Sequence, residues 1–307
     1  MNAPTLVADY REDPVLKQAF FEFTPRALYG ASFVEWDRLG FWSPKYVPYS
    51  LVLNDPEPRI IANVSISRMR VLLRDRPVRA IQFATVGTLP EFQRRGYADR
   101  LMRHVLETES YELCFLFGNE SVVEFYPRFG FRRIREALFF RGFEAAPGEA
   151  RTNPEAPEAR RLNLHDAADL ALFKSLLGTR APITGRVGAL DYEHILPFYA
   201  VYAFGEDLFY FEGEHPALIV AQNEGPIFNV YDIVCRPAGL DPARIQRMLR
   251  GIAADGTREI CYHFTPELID PNAQARDFDD SDSPLFVRGD FPDAELRPFK
   301  FPALAQT

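Results

Sequence analysis

Gln93-Arg94-Arg95-Gly96-Tyr97-Ala98 is the stretch on which the reading of this chain turns. It follows a β-rich run from Ile81 to Thr88 and leads into the amphipathic run of Leu101, Met102, Val105 and Leu106. A strand, a tight basic turn with one glycine and a helix together make a cradle for an anion. The start of a helix presents unpaired backbone N–H groups and about half a positive charge. Gly96 leaves room where a Cβ would stand in a ligand's way, and Arg94, Arg95 and Arg100 add full charges. A diphosphate matches that description. The pattern is neither the three-glycine dinucleotide fingerprint nor a P-loop, which needs Gly-Lys-Ser/Thr.

Downstream runs Phe115-Leu116-Phe117-Gly118-Asn119-Glu120-Ser121-Val122-Val123-Glu124-Phe125-Tyr126-Pro127-Arg128-Phe129-Gly130-Phe131. Cys114 to Phe117 is a short apolar run bounded by Gly118, the mark of a buried strand. Asn119 or Ser121 suits the N-cap of a short helix carrying Val122, Val123 and Phe125. Gly130 ends that helix, and Phe131 opens a strand through Phe139 and Phe140.

These two motifs, in this order and at this separation, resemble the GNAT acyltransferase superfamily. Its Q/R-x-x-G-x-G/A signature, here Gln93-x-x-Gly96-x-Ala98, binds the pyrophosphate of acetyl-CoA. The resemblance implies that Gln93, Arg94, Arg95, Gly96, Tyr97 and Ala98 hold that pyrophosphate. It implies that Val86, Gly87 and Thr88 offer backbone groups to the pantetheine arm and thioester. By the same resemblance Asn119 contacts the pantetheine amide and Tyr126 protonates the departing thiolate. Each has a plainer alternative: Gly87 as relief of crowding within a strand, and Tyr126 as a core aromatic whose hydroxyl finds a backbone partner.

The coarse elements suit an α/β mixed sheet of the GNAT kind. Asp13 to Tyr29 and Ser32 to Leu39 read as helices. Tyr49 to Leu53, Ile60 to Arg70 and Val78 to Thr88 read as strands, the first two parted by a turn from Asn54 to Pro58. This first domain is expected over residues 1–145. Pro147, Gly148, Pro154 and Pro157 mark a linker at 146–160, and a second domain is expected over 161–307. Laying Glu112-Leu113-Cys114-Phe115 over Glu259-Ile260-Cys261-Tyr262 puts Leu101–Val105 on Met248–Ile252, and Ile81–Val86 on Phe228–Ile233, without a gap. The unit therefore reads as duplicated. In that register Leu240, Asp241 and Ala243 replace Gln93, Arg94 and Gly96. A carboxylate where a phosphate would sit repels it, so the second lobe is expected to be a GNAT-like unit without the pyrophosphate loop.

Acyl transfer to an amine requires a held donor, a polarised thioester carbonyl, a deprotonated amine and a protonated leaving thiolate. Many members of the family carry a glutamate where this chain has Gln82, which takes up no proton. Glu120 and Glu124 flank the short helix, and the base stays unassigned. His104 reads as a surface residue. No H-x-x-x-H or C-x-x-C spacing points to a metal, and no G-x-S-x-G points to a serine hydrolase.

The chain has 43 acidic against 35 basic residues, with the excess acid in its second half, which disfavours nucleic acid and attracts cationic amines. The first residues lack a secretory pattern, no apolar run is long enough for a membrane, and three cysteines fit a reducing, cytoplasmic setting. The expected activity is transfer of an acetyl group from acetyl-CoA to the amine of a small metabolite, by direct attack on the thioester. Trp36, Trp42, Tyr46 and Tyr49 are candidates to line the acceptor pocket. A non-catalytic acyl-CoA-binding regulator or scaffold is the alternative. O-acylation and longer acyl chains stay open.

Overall fold

The computed structural model describes residues 3–28, 30–54, 56–119, 122–143, 158–278 and 281–307. Glu120, Ser121 and most of the expected linker lie outside them. The first sheet begins with β1 (Thr5–Ala8), β2 (Tyr46–Asn54), β3 (Pro58–Leu73) and β4 (Arg76–Thr88), each antiparallel to the next. β3 turns into β4 through Arg74 and Asp75, whose φ angles of 52° and 61° make the primed hairpin turn that suits twisted strands. Helix α1 (Pro14–Ala27) starts where Asp13 accepts from the N–H groups of Val15 and Leu16, with Pro14 in the first turn. Helix α2 (Val34–Arg38) is shorter than the run from Ser32 to Leu39, because Phe33 at its start provides no capping side chain.

β4 is followed by helix α3 (Tyr97–Thr108), which buries Leu101, Met102 and Val105, and by β5 (Leu113–Phe117), parallel to β4. The second sheet repeats this arrangement. β11 (Ala217–Glu224) pairs antiparallel with β12 (Ile227–Cys235), the helix Pro242–Ile252 buries Ile245, Met248 and Leu249, and β13 (Glu259–Tyr262) returns parallel to β12. A short 3-10 turn precedes each helix, at Pro90–Phe92 and Pro237–Gly239.

The run expected to be one strand from Phe131 to Phe140 is in fact two. It breaks at Arg135-Glu136 into β6 (Arg132–Ile134) and β7 (Ala137–Gly142), which belong to different sheets. β7 crosses over and lies between β13 and β14 (Gln274–Asp277). In return β15 (Leu285–Gly289) enters the first sheet between β5 and β6, with Phe286 opposite both Leu116 and Arg133. Each lobe thus receives a strand from the other half of the chain, so neither sheet is built from one contiguous stretch. β9 (Val187–Leu190) adds a further strand to β3. β10 (Leu208–Phe211) and β8 (Ala159–Arg161) complete the second sheet on its β11 side.

Glu136, at the crossing point, is fully buried and meets Lys300 Nζ at 2.6 Å, while accepting from Phe301 N at 2.7 Å. It ties the segment that follows β15 into the seam between lobes. Phe299, Phe301 and Leu304 share one core with Phe115 and Val287 of the first sheet and Tyr210 and Val234 of the second.

Candidate active site

Gly96 is the N-cap of α3, in the left-handed region at φ 76°, and no side chain caps the helix. A Cβ added there would meet nothing within 4 Å. In the free protein it is therefore the backbone angle that calls for glycine, and the open space beside it is where an anion's oxygens fit. Arg94 and Arg100 are exposed and make no ion pair among the described residues. Arg95 instead donates to the Glu91 carbonyl at 3.0 Å and lies over the Phe92 ring. The carboxylates close to the cradle are engaged: Glu91 by Arg26 at 3.0 Å and by Arg59, Asp99 by Arg103 at 2.9 Å and Arg128 at 3.0 Å. The second lobe's helix differs. It starts two residues earlier in the repeat register, and the Asp241 carboxylate accepts from Arg244 N at 2.6 Å. That carboxylate occupies one of the donors an anion would need.

β4 and β5 pair from Ala80 opposite Leu113 to Gln82 opposite Phe115, and β4 then continues alone to Thr88. At this parting lies a cavity of about 920 Å³. Its wall brings together Val86, Gly87, Thr88, Gln93, Arg94, Ala98, Asn119 and Tyr126, leaving Arg95, Gly96 and Tyr97 outside it. A bulge shapes the strand here: Asn63 pairs with Gly87 but Ser65 with Ala84, and Thr85 takes φ 49°. Asn63 holds this strained residue, donating to the Thr85 carbonyl at 2.8 Å and to Ser65 Oγ at 2.9 Å while accepting from Ser50 Oγ at 2.8 Å. Tyr46 reaches Thr85 Oγ1 at 2.5 Å. Gly87 also has a packing reason, since a Cβ there would lie 3.2 Å from Ala27 and Leu28 at the end of α1.

Tyr126 is 5% exposed, ringed by Phe125, Phe131 and, from the exchanged strand, Phe286. Gly118 admits this ring, because a Cβ would approach it to 3.2 Å. The hydroxyl makes no hydrogen bond among the described residues, and burial pushes the phenol up to about 12.

Gln82 has a different task from a base. Fully buried, it donates to the Ala305 carbonyl and accepts from Thr307 N, both at 2.8 Å. Gln306 and Thr307 are thereby held in the cavity wall. Glu124 is exposed and outside that wall, and His104 packs edge-on against Tyr49. The four candidate aromatics divide. Trp36 and Tyr46 line the cavity, Trp42 packs behind them, and Tyr49 faces the other side of β2, as the alternation of a strand requires.

Sequence reasoning missed His194, Ile195, Phe198 and Tyr199, which the second lobe contributes. No motif marks them. They reach the cavity because Trp36 Nε1 donates to the His194 carbonyl at 2.8 Å and Glu35 N to the Tyr202 hydroxyl at 3.0 Å, fixing the helix Leu196–Tyr202 against α2. Burial, aided by Lys45, lowers the His194 pKa to about 3, so its ring is neutral. Among the described residues no cluster of acidic, His or Cys side chains fits a metal ion, and no helix is long and apolar enough to cross a membrane.

Residues 16–134 match the family model of the acetyltransferase (GNAT) domain. This stretch is a GNAT domain. The protein that carries it is thus built around an acetyltransferase-type domain. No curated protein matches the chain. Among solved structures it is similar to a GCN5-related N-acetyltransferase from Kribbella flavida, at 18% identity over 96% of this chain and 73% of that one, with a TM-score of 0.53. Eis1 from Mycobacterium abscessus follows at 14% identity, 92% and 73% coverage and a TM-score of 0.55. A GCN5-related N-acetyltransferase from Anabaena variabilis stands at 10%, 92%, 72% and 0.55. At these identities the likeness is one of fold, and it extends through both lobes. In this GNAT domain the cavity is roofed by side chains from beyond the domain itself.

Proposed function

We propose that the protein transfers an acetyl group from acetyl-CoA to the primary amine of a small molecule. One observation carries the reading: a single cavity joins the uncapped α3 cradle, the free edge of β4, Tyr126 and an aromatic chamber. Gln93, Arg94 and Ala98, with the first-turn N–H groups of α3, would hold the pyrophosphate. Val86, Gly87, Thr88 and Asn119 would hold the pantetheine arm. Acetyl-CoA supplies an activated acyl group and a thiolate leaving group. Tyr126, protonated throughout the working pH range, is placed in this reading to give its proton to that sulfur. No cysteine lines the cavity among the described residues, which favours direct attack by the amine.

A second reading, acyl-CoA binding without turnover, is favoured by one observation: no described Asp or Glu lines the cavity. Thiol release from acetyl-CoA across a broad amine panel, run beside calorimetric binding, separates the two. Turnover on any amine supports transfer, and tight binding with no turnover on every amine supports the sensor.

A further inference from the structure

Helix α2 carries Trp36 into the cavity wall, yet its five residues do not close their own start. Phe33, at the N-cap, makes no side-chain hydrogen bond to the helix. The missing acceptor comes from the second lobe. The Tyr202 hydroxyl takes hydrogen bonds from Glu35 N at 3.0 Å and Trp36 N at 3.3 Å. These are the second and third helical positions, the two N–H groups that a serine or aspartate N-cap would satisfy. At the other end Lys174, on the helix Ala167–Leu177, donates to the Leu39 carbonyl at 2.6 Å and sets a positive charge at the C-terminus of α2. A helix of five residues has little stability of its own, so contacts of this kind determine where it sits.

Tyr202 touches both sides of the aromatic chamber. Its ring packs on Phe198 with centroids 4.8 Å apart, and Phe198 meets Phe33 at 5.0 Å. Its hydroxyl holds the turn that bears Trp36. Tyr202 itself is 40% exposed and stands outside the cavity wall. The first lobe adds its own hold on α2, through Lys17–Asp37 at 2.6 Å and the rings of Trp42 and Tyr46, 5.9 and 5.4 Å from Trp36. Loss of the borrowed cap therefore loosens α2 without releasing it.

We propose that Tyr202 is a positioning residue for the acceptor: capping α2 from the second lobe, it seats Trp36 and Phe33 in the wall they share with Phe198. The acceptor part of this rests on the acetyl-transfer reading above; the seating of Trp36 does not. Removal of a helix cap shifts the balance between seated and unseated α2 by about fivefold.

The test uses Tyr202→Phe, which removes one oxygen and keeps the ring. Trp36 and Trp42 are the two tryptophans of the chain, so in a Trp42→Phe background Trp36 reports alone. Adding Tyr202→Phe should raise acrylamide quenching of Trp36 fluorescence about two- to threefold, with acetyl-CoA affinity by calorimetry kept within about twofold. Lys174→Met should act in the same direction. With both tryptophans present, Tyr202→Phe should raise KM about three- to fivefold for whichever of benzylamine, tyramine and 1,5-diaminopentane turns over fastest, and leave kcat within about twofold. Quenching unchanged by Tyr202→Phe overturns the proposal, as does a fall in acetyl-CoA affinity that matches the rise in quenching, which marks general loosening. Raised quenching with the amine KM unmoved overturns the positioning role. Raised quenching with no thiol release from any of the three amines counts against acetyl transfer and leaves the seating of Trp36 standing.

Discussion

Tyr126 owes its properties to what surrounds it. Three phenylalanine rings and the bare face of Gly118 desolvate the phenol and push its pKa up to about 12. Tyr126→Phe should lower kcat on the order of 10²-fold with acetyl-CoA affinity unchanged. In the unsubstituted protein kcat should show no falling limb up to pH 10 from this group. Steady-state kinetics beside calorimetry checks both, and full activity in the variant removes Tyr126 as the acid. Two histidines, His194 buried and His263 half-buried, make a separate prediction. Burial depresses His194 to about 3 and His263 to about 4, while an unfolded histidine titrates near 6.5. Below that pH the unfolded chain takes up protons that the folded chain refuses. Their contribution is therefore complete above about pH 6.5 and is lost as pH falls toward 4, by up to about 2 kcal/mol per ring between pH 6.5 and 5. Denaturant unfolding at pH 7 and pH 5 should show this loss, reduced in a His194→Gln, His263→Gln double variant.

At the scale of elements, the segment after β15 matters as much as the strands. Lys300 and Glu136 are nearly or wholly buried, and their bridge sits where β6 gives way to β7. Lys300→Met takes a cationic partner from the buried Glu136 carboxylate and should cost on the order of 3 kcal/mol. Equilibrium unfolding would show it, and adding Glu136→Gln should restore part of the loss. The cradle and its helix were legible because their signals are local: one glycine at a positive φ, basic neighbours and an amphipathic run. The duplicated unit was legible for the same reason, and Asp241 does start its helix. Gln82 was visible as a departure from the family's glutamate, but its partners Ala305 and Thr307 lie too far along the chain for any spacing to reveal them.

The whole molecule is held together by exchange. Among the described residues β5 and β6 meet through β15, and β13 and β14 through β7. Two sheets read as consecutive domains are in fact completed across the sequence, and period-two patterning identifies a strand without naming its partner. A fragment of residues 1–145 leaves β5 and β6 without the strand that joins them. It should fail to unfold cooperatively alone and regain structure when co-expressed with residues 146–307. Circular dichroism melts decide this, and a cooperative transition in the isolated fragment would contradict it. Half of the aromatic chamber escaped sequence reading because Phe198 and Tyr199 belong to a helix, Leu196–Tyr202, whose neighbours in sequence carry no motif. The central claim is that one lobe holds the acyl donor in the α3 cradle and the other does not. Calorimetric titration of acetyl-CoA into the full chain tests it most directly. One site per chain, lost in Arg94→Glu with Gly96→Val and kept in Asp241→Asn, is the predicted result; absent binding, two equal sites, or affinity untouched by the cradle substitutions would contradict it.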